Sequence, residues 1–233
     1  MSFLCHPQIA AKLCHAAYFD DEDSVRGLVY DADIRFEEVH LLQKDNAACV
    51  VSIHPHCIVV AFRGTDEGKD LLDNLDAEHT NDWHKGFQKH YDKLSLEWLR
   101  ILHDNPSKPV YFTGHSLGGA VAVIAACEMV FSSGCITFGA PRVMWKGSQV
   151  DKQFNFPMLR VTRAADPVPH LPSRWRFKHI GHWLFIDHKG KSHHPHPSLW
   201  VRFNSAVREL VFKHDKDPHH ITRYIQDLEV KND

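Results

Sequence analysis

Ile9, Leu13 and Ala16/Ala17 recur at helical spacing, so the chain is predicted to open with a helix packed on the domain. Residues 47–53 and 57–62 are apolar and β-branched, and His54-Pro55-His56 between them makes the turn of a strand pair. Phe87, Tyr91, Leu94, Trp98 and Ile101/Leu102 mark one face of an amphipathic helix, which Asn105-Pro106-Ser107-Lys108-Pro109 ends. Val110-Tyr111-Phe112 then reads as a buried strand, and residues 120–131 as a core helix, apolar almost all round. Strands are expected at 135–138 and 158–162, with a late pair at 177–180 and 183–186. Leu199, Phe203, Val207 and Leu210/Val211 mark a penultimate helix, and 221–228 the last. Residues 67–82 are polar and acidic apart from Leu71, Leu72, Leu75 and Ala77, which suits a short helix or a flap. Strands alternating with helices predict an α/β layer fold with a central, mostly parallel sheet.

A chain of 233 residues is large enough to bury a sizeable core and is read as one domain spanning 1–233. Its formal charge of −2 gives no reason to expect a nucleic-acid or acidic-membrane partner. No stretch reaches the length of a membrane-spanning helix. The first twenty residues lack a basic start and an unbroken apolar core, so no ordinary secretory signal is expected and a cytoplasmic or non-classically exported location is favoured. The 6 cysteines form no CxxC pair and mostly sit in apolar segments, as buried free thiols do in a reducing compartment.

Chemistry concentrates at Gly114-His115-Ser116-Leu117-Gly118-Gly119, between the predicted strand and the core helix. Gly-x-Ser-x-Gly alone is a weak pattern. On a sharp strand-to-helix turn it is a nucleophile elbow, where Gly114 and Gly118 remove β-carbons that would block close approach. A helix-capping serine on a Gly-rich turn is the bland alternative. A serine hydroxyl needs a base to take its proton, and the base needs a carboxylate to fix its tautomer. Asp166 follows a strand, and the prolines after it narrow the loop's conformations. It is therefore the candidate acid, against a role as a turn cap. Ten histidines lie beyond it. His219, between Asp217-Pro218 and the last helix, is the candidate base, with His220 second and His170 and His179 on or next to strands. The backbone N–H of Leu117, and Thr65 in the loop after an earlier strand, are the candidate oxyanion donors.

These segments together resemble the class 3 lipases, the fungal-type triacylglycerol lipases among the α/β-hydrolases. Ala61-Phe62-Arg63-Gly64-Thr65 is similar to the family's oxyanion strand, and Trp83-His84-Lys85-Gly86-Phe87 to its His-x-Gly-Phe segment. Gly114 to Gly119 resembles the elbow, and Thr137-Phe138-Gly139-Ala140-Pro141-Arg142-Val143 the strand and loop after it. The run from Arg160-Val161 to Asp166-Pro167-Val168-Pro169-His170-Leu171-Pro172 resembles the acid loop, and His219 through Tyr224 the final His-x-x-x-x-Tyr. The resemblance implies an α/β-hydrolase fold and a serine hydrolase of acylglycerols or related lipid esters. It also implies Ser116, Asp166 and His219 as the catalytic set, and no metal or organic cofactor. It matches His179 to a position that is not the base. Leu71 stands where family lids tend to carry Trp, and Met144-Trp145 where Gly-Asn is more usual. The disulfides of secreted relatives are not evident.

One run is left over. Asp187-His188-Lys189-Gly190-Lys191-Ser192-His193-His194-Pro195-His196-Pro197 carries imidazoles, but its spacing is not that of a closed structural zinc site. A solvated surface loop is expected there.

Overall fold

Side chains alternate along the central strands and divide the interior into two apolar layers. The computed structural model describes residues 6–30, 35–65, 78–148, 154–164, 166–194, 197–198, 200–202, 204–205, 208 and 218–229. Its strands are β1 (Glu38–Lys44), β2 (Ala47–His54), β3 (Cys57–Phe62), β4 (Val110–His115), β5 (Ser132–Phe138), β6 (Met144–Trp145), β7 (Met158–Arg163), β8 (Phe177–Lys178), β9 (His182–Ile186) and β10 (Ser192–His193). The helices are α1 (Pro7–Ala16), α2 (Glu22–Tyr30), α3 (Lys85–His103), α4 (Leu117–Glu128) and α5 (Ile221–Glu229). Ile58, Val60 and Phe62 of β3 point into one layer with α3 and α4. Val59 and Ala61 point into the other, with α1, α2 and α5. A strand buried on both faces reads as a continuous apolar run, which is why β2 and β3 were visible in the sequence.

The main sheet has 8 strands in the order β1-β2-β3-β4-β5-β7-β9-β10. The pairings β3–β4, β4–β5, β5–β7 and β7–β9 are parallel. Those outside them, β1–β2, β2–β3 and β9–β10, are antiparallel. The parallel block therefore carries its strand ends along one edge, where the loops after β3, β4, β5 and β7 meet. This is the α/β layer arrangement with a mostly parallel sheet that the alternation of strands and helices implies.

Several expectations change in detail. The core helix α4 starts at Leu117, directly after the elbow, and stops at Glu128; Val130 and Phe131 lie beyond it and are exposed. The late strands do not pair with each other. β8 joins β6 in a two-stranded ribbon, whereas β9 lies parallel to β7 in the main sheet. Met144-Trp145, the pair that departs from the family pattern, forms the ribbon's other strand. The histidine-rich run is partly folded: β10 extends the sheet edge, and Asp187 accepts from Lys189 N (2.9 Å), Lys191 N (3.0 Å) and His193 Nε2 (2.8 Å). Residues 67–77 of the expected flap, and all five apolar residues marking the penultimate helix, lie outside the described residues. Among the described residues no helix is long and apolar enough to cross a membrane.

Candidate active site

Ser116 sits between β4 and α4 with φ 57° and ψ −130°, a conformation that costs a non-glycine residue about 1–3 kcal/mol. Its backbone is clamped there. The N–H donates to Phe138 O on β5 (3.0 Å), and its carbonyl accepts from Gly119 N (2.9 Å). Ser116 stands at the N-cap position of α4, but its hydroxyl makes no capping bond. The strain instead fixes the direction of the hydroxyl, as an elbow does.

Close packing of the preceding strand explains the glycines. A β-carbon at 118 would lie 2.1 Å from Phe62 O, and one at 64 would lie 2.7 Å from His115 O and 3.1 Å from Ser116 Cβ. The β3 loop thus runs directly against the nucleophile turn, and Thr65 is the next residue along it. Leu117 opens α4, and the N–H of a first helical residue has no partner within its helix. Leu117 thus directly follows Ser116, and Thr65 follows the Gly64 that packs against it.

Asp166 follows β7 and is 1% exposed. Val168 N donates to its Oδ1 at 2.9 Å, the turn bond expected of a capping aspartate. The same carboxylate also accepts from His219 Nδ1, at 2.9 Å to each oxygen, and from the Tyr224 hydroxyl, at 2.5 Å to Oδ2. It is both a turn former and a partner of the imidazole. Because the carboxylate only accepts, Nδ1 of His219 carries the proton, and Nε2 is left with the lone pair. Burial, followed by repulsion from Asp166 and the hydrogen bond to it, raises the Tyr224 hydroxyl well above its ordinary pKa. It stays a neutral donor.

A second chain of contacts holds the base from behind. The ring of His115 lies 4.5 Å from that of His219. His115 Nε2 bonds the His219 carbonyl oxygen at 2.6 Å, and its Nδ1 bonds the Tyr18 hydroxyl at 2.7 Å. A carbonyl only accepts, so Nε2 carries the hydrogen and Nδ1 receives the one on Tyr18. Burial, then the nearby His219, pushes the His115 pKa well below 6.5, which keeps this neutral tautomer. Tyr18 and His115 were not picked out by sequence reasoning as site residues. Their role depends on α1 lying across β4, a long-range contact with no local signature.

The remaining candidates fall elsewhere. His220 is exposed and turns its Nδ1 onto the Thr222 hydroxyl at 2.8 Å. His179 Nε2 donates to Pro169 O at 2.8 Å, inside the acid loop. His84 of the His-x-Gly-Phe segment is buried, with its ring 4.3 Å from Phe87 and 5.1 Å from Phe177, and so packs the core. Ser116 itself is 0% exposed, and its Oγ makes no hydrogen bond. The imidazole–carboxylate pair is assembled, while the serine–imidazole bond is not closed. Catalytic hydrogen bonds are often long in ligand-free enzymes and tighten with substrate.

The fold and this constellation define an α/β-hydrolase. Residues 59–175 match the family model described as lipase (class 3), and the chain belongs to that family. It is 42% identical to the secreted mono- and diacylglycerol lipase 2 of Gibberella zeae, over 53% of this chain and 42% of that protein. With lipase A of Sodiomyces alcalophilus it shares 37% identity, over 46% of this chain and 31% of the relative. The matches thus span less than half the length of these curated relatives. The solved structure of Rhizomucor miehei triacylglyceride lipase superposes with a TM-score of 0.66 at 22% identity, covering 82% of this chain and 84% of that one, which establishes the shared fold.

Proposed function

We propose that this chain hydrolyses carboxylic esters of acylglycerols or related lipids through an acyl-serine intermediate. Ser116 Oγ attacks the ester carbonyl while His219 Nε2 takes its proton. Asp166 holds the imidazole in the tautomer that can do so and stabilises the imidazolium that forms. Negative charge on the tetrahedral carbonyl oxygen is met by the N–H of Leu117 and by Thr65. His219 then gives its proton to the leaving alcohol, and a water activated by the same nitrogen releases the acid. Tyr224 and Val168 hold the carboxylate, and His115 with Tyr18 holds the carbonyl of the base. No metal or organic cofactor enters this scheme.

The observation that carries this reading is the bond from His219 Nδ1 to both oxygens of a buried Asp166, beside a serine held in the elbow conformation. The ester class is inferred from the family and from relatives named as acylglycerol lipases. Because Ser116 is sealed, the surrounding chain must part before a substrate carbonyl reaches Oγ. Hydrolysis of p-nitrophenyl esters from acetate to long acyl chains, with and without detergent, tests the proposal on wild type and Ser116→Ala. We expect turnover in wild type and a loss of about 10⁴-fold or more in the variant. Equal rates in the two proteins would remove Ser116 from the chemistry.

A further inference from the structure

Beneath the acid-bearing loop lies a cavity of about 470 Å³ whose lining is strongly basic. Arg142, Arg160 and Arg202 face it, together with His170, His179 and Thr162. Arg160 and Thr162 alternate with Leu159 and Val161 along β7, which places them on the α3–α4 face of the sheet, next to Trp183 of β9.

Among the described residues no carboxylate pairs with these arginines, and Arg142 Nη1 donates only to the carbonyl oxygens of His170 and Pro172. Arginine–carboxylate pairs form instead at Arg26, Arg63 and Arg163. Asp166 is the one carboxylate among the described residues of the lining, and both of its oxygens are taken by Val168, His219 and Tyr224. The Nε of Arg160 is buried and makes no hydrogen bond, which is costly for a charged group. Arg160 and Arg202 lie over the Trp183 ring, at 5.2 Å and 5.1 Å from its centroid, so two like charges converge on one indole. Burial, then repulsion from Arg142 and Arg202, lowers the Arg160 pKa to about 10. Thr162 Oγ1 accepts from Trp183 Nε1 at 2.7 Å, which leaves its own hydrogen to donate.

We infer that this cavity binds a phosphate group, either free or carried on a lipid headgroup. Several guanidinium forks converging from different elements suit a tetrahedral dianion, whose oxygens take donors from many directions. A single carboxylate would leave most of the positive charge uncompensated. The lipid source is credible on geometry, because the chain that supplies Pro169 and His170 runs on to an exposed Trp175 between Arg174 and Arg176. Aromatic and basic side chains together favour the headgroup layer.

The test uses the full chain and inorganic phosphate, titrated against sodium chloride at matched ionic strength, with the thermal midpoint and calorimetric heats as readouts. Wild type should show a saturable rise in midpoint with phosphate. Arg160→Met should weaken the apparent affinity by at least about tenfold, since a charge-assisted bond is lost. It should also raise the phosphate-free midpoint by removing an uncompensated buried charge. Arg26→Gln, which changes the same charge on α2, should leave the response unaltered. A second arm measures sedimentation with phosphatidic acid and with uncharged-headgroup diacylglycerol vesicles. Arg160-dependent binding to phosphatidic acid without a response to inorganic phosphate would assign the site to a headgroup, and a response to both would assign it to phosphate generally. If neither probe binds in an Arg160-dependent way, or if Arg26→Gln abolishes the response equally, the inference is wrong.

Discussion

His219 is buried with its Nδ1 on a carboxylate, whereas His220, the next residue, is exposed and turns back onto Thr222. In the sequence the two were nearly equivalent: both follow Asp217-Pro218 and precede the last helix. A one-residue difference in where a ring points is decided by packing, here by His115, Tyr224 and Asp166; chain position left His220 open, and only the resemblance of His219 through Tyr224 to the final His-x-x-x-x-Tyr favoured His219. Ser116 was legible because Gly-x-Ser-x-Gly carries its own backbone requirement. Asp166 was legible because a strand end and a run of prolines flank it. Tyr18 was not, since its relation to the base spans 97 residues to His115 and one more contact beyond. Replacing each histidine by Ala separates these readings. His219→Ala should lower kcat by about 10⁴-fold or more, and His220→Ala should change it little. If only His220→Ala lost ester hydrolysis, the base assignment would be wrong.

Among the elements, α3 was visible because its apolar face repeats at helical spacing, and the structure buries Phe87, Leu94, Trp98 and Leu102 along it. Trp98 is 0% exposed, and its ring meets Phe112 at 5.6 Å and Phe62 at 6.3 Å, the two strands that end beside Ser116. Its Nε1 is buried without a hydrogen bond. Trp98→Ala should therefore cost about 3–5 kcal/mol in urea unfolding, the usual range for emptying an aromatic core site. Trp98→Phe removes the unsatisfied N–H along with some volume, and should cost well under half of that. An equal loss in the two variants would mean that the indole nitrogen has a stabilising partner. Other elements escaped the sequence reading. The edge strand β1 is half exposed and polar at both ends, so its alternation is diluted. β8 and β9 were seen as strands, but which partner each takes depends on register across the sheet, which local composition does not carry.

At the scale of the whole molecule, 20 histidines in 233 residues make acid stability a property of burial. Burial holds His115 and His179 well below 6.5, and lowers His170 and His90 as well. In the unfolded chain these groups take up protons below about pH 6.5, while the folded protein resists. The unfolded state then binds more protons, so stability is complete above that pH and is lost as the pH falls. The thermal midpoint should decline from about pH 6.5 downward, and His115→Asn should make that decline shallower whatever it does to the midpoint at neutral pH. An unchanged slope would show that His115 titrates alike in both states. The order of motifs along the chain was enough to indicate the family and the layered sheet. The half-buried arginine cluster was not, because Arg142 after β5, Arg160 on β7 and Arg202 beyond β10 come together only in the folded chain.

Covalent labelling is the most direct measurement of the acyl-serine route. The full chain is incubated with an alkyl fluorophosphonate, which reacts with an activated serine hydroxyl and releases fluoride, and the adduct is mapped by peptide mass spectrometry. One equivalent on the peptide containing Ser116, absent from Ser116→Ala and strongly slowed in His219→Ala, is the expected result. An unlabelled Ser116 in a protein that nonetheless hydrolyses esters would contradict it.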